Sequence, residues 1–179
     1  MKLIILSSLF LMIACKEKET EKRSEYKAPT KENPISENKS NESEDAKKWL
    51  TESIEKFFKT DLSTMDSAMQ NITTKDYYEY KTDATNVEMD TEGSLTEKEF
   101  EQKWKSKFNI EKAGTGVGFL ISGQDWNEIK VSKCNFISQD GNTYLFDVIL
   151  EDKEYKAEYP IQVKVVKEKE GFRIADVLQ

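Results

Sequence analysis

Residues 154–165 read Glu-Tyr-Lys-Ala-Glu-Tyr-Pro-Ile-Gln-Val-Lys-Val, and their period is two. Tyr155, Ala157, Tyr159, Ile161, Val163 and Val165 fall on one side, and Glu154, Lys156, Glu158, Gln162 and Lys164 on the other. Successive side chains of a strand point to opposite faces, so this pattern predicts a strand with one buried and one wet face. Pro160 lies on the polar side and implies an open edge or a bulge there, because it has no N–H to donate.

The same period extends in both directions. Residues 127–137 and 143–151 predict two more strands, joined by the hairpin signal Asp140-Gly141-Asn142. Glu170-Gly171 predicts a turn into a last strand, Phe172 to Leu178. A further strand-like run, Gly118-Phe-Leu-Ile-Ser122, follows the glycine-rich connection Gly114-Thr-Gly-Val-Gly118. Dinucleotide loops run from a strand into a helix. This connection runs from a helix into a strand-like segment, and reads as a corner.

Upstream the period lengthens to that of a helix. Ala46, Trp49, Leu50, Ile54, Phe57 and Phe58 recur at three- and four-residue spacing, with Ser43 placed to cap that helix. Leu62, Met65 and Met69 predict a short second helix, and a third starts after Thr74 with Tyr77, Tyr78 and Tyr80. Thr96 and Glu99 form a capping box, with Leu95 and Phe100 as a hydrophobic staple. Phe100, Trp104 and Phe108 continue that helix from near Glu97 to near Phe108. Helices followed by an antiparallel meander predict an α+β domain, N-terminal helices packed on a curved sheet of about four to five strands. This layout, with the closing Gly-Phe-Arg-Ile-Ala-Asp-Val (171–177), resembles the nuclear-transport-factor-2-like and cystatin-like superfolds. The resemblance implies a cone with a pocket between helices and sheet, and it chooses no function by itself.

The N-terminus carries an address. Met1-Lys2 is followed by an apolar run of about twelve residues (LIILSSLFLMIA), against the ~20 needed to span a bilayer as a helix. Leu11-Met-Ile-Ala-Cys15 resembles the lipobox of bacterial lipoproteins. The resemblance implies removal of residues 1–14, acylation of Cys15 and a lipid-anchored protein of the cell envelope. Lys16 stands where an Asp would signal inner-membrane retention, which points to the outer membrane with the leaflet open. Residues 15–42 are rich in Lys, Glu, Ser, Asn and Thr with Pro29 and Pro34, and read as a disordered tether of ~30 Å. The globular domain is expected over residues 43–179.

Composition limits the chemistry. The chain is 34% charged and 37% apolar, with a formal net charge of −7. Residues 49–179 hold seventeen basic and twenty-five acidic side chains, which argues against nucleic acid as a partner. There is no histidine, so histidine-based triads, zinc sites and proton shuttles are excluded. With Cys15 acylated, Cys134 has no disulfide partner and reads as a small buried apolar residue.

Two constellations could carry function. Glu88 to Glu99 resembles the twelve-residue EF-hand loop, with Glu88, Asp90, Glu92, Ser94 and Glu99 at ligand positions and Gly93 at the turn. The resemblance implies Ca2+ as the ion. Asp147 lies among apolar residues (LFDVIL), where a desolvated carboxylate beside tyrosines could act as an acid or base. The leading expectation is a non-enzymatic, lipid-anchored binder of an envelope protein or small ligand. It would use the sheet's open side or a pocket near Trp126 and Tyr144. A calcium module, an immunity or inhibitor lipoprotein, and a cavity-based acid-base enzyme are the alternatives.

Overall fold

A computed structural model describes residues 35–122 and 125–179, with side chains described from residue 41. The signal segment, Cys15 and residues 15–34 of the expected tether lie outside the described residues.

The strand reading becomes a four-stranded antiparallel meander in the order β1-β2-β3-β4. The strands are β1 (Ile129–Asp140), β2 (Thr143–Asp152), β3 (Ala157–Glu168) and β4 (Gly171–Leu178). The β1–β2 turn has Gly141 at φ +55° in its first central place, where a two-residue hairpin wants a positive φ. Ile161, Val163 and Val165 are buried as the alternation requires. Tyr155 departs from it, because residues 153–156 form the turn between β2 and β3 and leave this ring 57% exposed. The β3–β4 ladder stops at Gln162↔Leu178, so Pro160 falls where that side of β3 is open. Register shifts between Val131 and Lys133 and between Phe136 and Ser138 bulge β1, and another between Lys164 and Val165 displaces β4. Bulges of this kind bend a sheet, and this one is curved and unclosed.

α1 (Ile35–Phe58) lies along β1 and crosses the inner face. It is already helical at Ile35 and runs through Ser43, which is buried within the helix and does not cap it. The good helix formers Glu, Lys and Ala around Ser43 let the helix run back through it. Its buried stripe is Ala46, Leu50, Ile54 and Phe57. Each of the larger three contributes about 1.5–3 kcal/mol by burial. A 3₁₀ turn (Leu62–Thr64) leads into α2 (Met65–Ile72), and Thr74 caps α3 (Lys75–Glu88) by accepting from Tyr77 N–H.

The capping box is present: Thr96 accepts from Glu99 N–H, and Glu99 accepts from Thr96 N–H. The helix it starts, α4 (Glu97–Trp104), ends before Phe108, although Phe108 N–H still reaches Trp104 O at 3.0 Å. That extra turn lets Phe108 stack on Tyr80 at 4.3 Å between centroids. A single helical turn, α5 (Ile110–Ala113), follows. Residues 117–122 form no strand. Leu120 and Ile121 are buried, but a Cβ on Gly118 would stand 1.9 Å from Ile121 O, so the chain folds on itself there. The Thr73–Thr74 link occupies the free edge of β4, through Thr74 N–H to Ile174 O at 2.8 Å.

Candidate functional site

The outer face of the sheet holds Asp147. Tyr144, Phe146, Val148 and Leu150 fill the inner face of β2, which leaves Asp147 exposed on the other side and Ile149 half-buried beside it. Asp147 Oδ1 accepts from Gln162 Nε2 at 2.9 Å across the β2–β3 pair. Around them lies an open groove of about 450 Å³, with Lys133 and Asn135 of β1 on one side and Lys112 and Gln179 on the other. Pro160, Ile149 and Leu178 give its floor an apolar strip. Such a surface mixes apolar contact area with addressable polar groups, as protein interfaces do.

The three residues expected to share a pocket are not brought together. Tyr144 belongs to the inner face, and its hydroxyl donates to Glu42 Oε2 at 2.9 Å. Lys167 Nζ reaches Glu42 Oε1 at 2.7 Å and, more than Tyr144, holds that carboxyl below its usual range. Burial, then the hydrogen bond to Glu42, pushes the Tyr144 phenol up to about 12. Glu42, the last residue of the expected tether, is therefore tied to β2 and β3. Trp126 lies towards the other end of α1, edge-on to Phe58 with centroids 5.5 Å apart. The acid-base reading needed Asp147 buried beside a tyrosine, and this carboxylate is exposed beside a glutamine.

Trp126 lines a different site, organised by Asp152. Asp152 continues the buried alternation of β2 and is fully buried. Its Oδ2 accepts from Asn127 N–H at 2.6 Å, and its Oδ1 from Glu154 N–H at 3.0 Å and Tyr155 N–H at 3.2 Å. Burial raises this carboxyl, but the backbone donors outweigh it and leave the group below its usual range. Asn127 Nδ2 also donates to Glu154. One carboxylate thus fixes the segment entering β1 against the β2–β3 turn, and places Trp126 and Tyr155 on the same cleft of about 380 Å³.

The EF-hand-like residues do not fit a calcium ion as placed. Gly93 takes φ +81°, the turn such a loop needs. Yet Glu88 ends α3 and accepts from Gly116 N–H at 3.1 Å, while Glu99 is engaged by Thr96. Among the described residues no group of three or more His, Cys, Asp or Glu side chains could hold a metal. Asp90, Glu92 and Ser94 remain on the connecting turn without convergent carboxylates.

A buried polar cluster between α3 and β4 went unread in the sequence. Lys81, 3% exposed, donates from Nζ to Ala113 O at 2.9 Å and Val117 O at 2.6 Å. Burial lowers its ammonium to about 8, against the pull of Glu88 and Asp176. Asp176 is raised by burial despite Lys164 at 3.3 Å, and among the described residues its Oδ1 has no well-formed hydrogen bond. Among the described residues, the Tyr77 and Tyr80 hydroxyls are likewise buried without a well-formed hydrogen bond. Burial first, and the Asp176 charge second, push both phenols upward.

Comparison of the chain with family models, with curated proteins and with solved structures gives no match. Among the described residues no helix is long and apolar enough to cross a membrane.

Proposed function

We propose that this chain is a non-enzymatic, lipid-anchored envelope protein whose domain binds a protein partner through the outer face of its sheet. The observation that carries the reading is the groove around Asp147. There a curved sheet, packed on its inner face by α1, leaves exposed Lys133, Asn135, Asp147 and Gln162 around the apolar strip. The lipobox-like Leu11-Met-Ile-Ala-Cys15 supports the anchor, and Lys16 supports the outer membrane. Helices followed by a curved meander remain compatible with the nuclear-transport-factor-2-like and cystatin-like resemblance, whose members include binding modules.

In cells, Cys15→Ser is expected to move the full chain from the membrane fraction to the soluble fraction. A photoreactive residue at Asn135 is expected to give a discrete adduct that disappears with Asp147→Arg. Persistence of Cys15→Ser in the membrane overturns the anchor. An adduct pattern shared with a control at Lys98, on the exposed face of α4, overturns the outer-face site.

A further inference from the structure

The cleft beside Trp126 has a composition of its own. Its walls are aromatic and aliphatic: Phe58 at the end of α1, Trp126, Tyr155 and Leu62. Leu62 is 80% exposed, so two large side chains here, with Tyr155, present apolar surface to solvent. Asp61 and Asp125 stand in the same cleft. Both are exposed, and neither carboxylate has an ion pair or hydrogen bond among the described residues. Lys130, which enters β1 beyond the cleft, is paired with Glu128 at 2.8 Å. No described cation lies over Trp126, whereas the cations of Lys103 and Lys107 do lie over Trp104.

We propose that this cleft receives a lysine or arginine side chain from a basic segment of a partner protein. Three features fit that occupant. A cation over the face of tryptophan or tyrosine gains from the ring quadrupole, and its aliphatic stem suits Leu62 and Phe58. Asp61 and Asp125, with no ion pair among the described residues, complete the charge complement. The surrounding domain is acidic, which steers a basic partner inward. A choline phospholipid headgroup fits less well, because its phosphate sits next to the cation and Asp61 and Asp125 repel it. The cleft also lies at the Phe58 end of α1, about 36 Å along a 24-residue helix from Ile35, the end that continues towards Cys15. Asp152 makes the cleft preformed, since it fixes both aromatic walls from beneath through backbone N–H groups.

The inference is independent of the outer-face reading, and its test separates the two. The full chain in detergent is titrated with the peptide Ac-Ala-Lys-Ala-amide, its arginine and norleucine analogues, and choline phospholipid vesicles, following the indole N–H resonances. The lysine and arginine peptides are expected to shift the Trp126 resonance saturably and to leave those of Trp49 and Trp104 in place. Asp61→Asn with Asp125→Asn is expected to weaken that binding at least tenfold, and 0.5 M salt to weaken it several-fold. Both positions are exposed and Asn keeps their shape, so an unchanged circular dichroism spectrum confirms that the variant folds. Asp147→Arg is expected to leave the titration unaltered. Equal binding of the norleucine peptide, indifference to the double substitution, or tighter binding of the vesicles each overturns the proposal.

Discussion

Asp152 and Asp176 are both buried carboxylates on this sheet, and the protein treats them in opposite ways. Three backbone N–H groups saturate Asp152, and its pKa falls. Asp176 has a lysine at 3.3 Å on one oxygen, no well-formed hydrogen bond on the other among the described residues, and the phenols of Tyr77 and Tyr80 in its field, and its pKa rises. The contrast shows that burial alone does not set the cost of a charge. The cost depends on whether fixed donors replace the lost water. Asp152 is a structural hub, whereas Asp176, with Lys81 above it, stores unfavourable desolvation beneath the glycine-rich corner.

The largest expected effect comes from removing the saturated carboxylate. Asp152→Ala strands the N–H groups of Asn127, Glu154 and Tyr155 in a buried setting. Its thermal midpoint is expected to fall on the order of 10 °C. Trp126 emission is expected to shift red as the cleft opens. A midpoint within a degree or two of the parent would erase the contrast. Because the folded pKa of Asp152 is depressed, its stabilisation is present above the unfolded value near 3.8. It is lost as pH falls through the folded value.

Lys81 gives the next effect, with a sign opposite to that of a paired surface lysine. Its folded pKa is about 8 against 10.5 for the free side chain. Between those values the unfolded chain binds the extra proton, so stability rises with pH from about 8 towards 10. The full rise is on the order of 3 kcal/mol. Above 10 the unfolded chain's tyrosines ionise while buried Tyr77 and Tyr80 resist, and the trend reverses. Urea midpoints measured at pH 7, 8, 9 and 10 check this, with Lys81→Met expected to flatten the series.

Asp176→Asn is expected to do least, leaving stability at pH 7 unchanged or raised by about 1 kcal/mol. The raised carboxyl of Asp176 contributes stability below its unfolded pKa and loses it as pH rises through the folded value. The variant is therefore expected to lack that decline as pH rises above the unfolded value near 3.8. A loss of more than about 2 kcal/mol at pH 7 would mean that the Lys164 pair outweighs desolvation.

Much of this contrast was within reach of the sequence for one carboxylate and out of reach for the other. Asp152 falls in phase with Tyr144, Phe146, Val148 and Leu150, so a polar residue at a core position was there to be noticed. Asp176 gave no such sign, because the shift between Lys164 and Val165 breaks the phase of β4 against β3. Lys81 looked like any lysine on a charged helix. Its burial follows from residues 113 and 117, more than thirty positions away, whose carbonyls it holds. Tyr155 departs from its expected face because the alternation continues by chance into a turn, where Lys156 takes φ +53°.

Most local elements follow from neighbouring residues. Period-two runs, the Gly141 hairpin, the Thr96 and Glu99 box and the buried stripe of α1 each rest on residues a few positions apart. The sequence also carried the Cys15 lipobox resemblance and the absence of histidine chemistry. Tertiary structure decided which of those elements face one another. It turned Glu88 towards Gly116. It joined Asn127 to Tyr155 through Asp152 and brought Asp61 into the cleft of Trp126. Those outcomes depend on crossing, bulging and burial between distant segments, which no window of neighbouring residues contains.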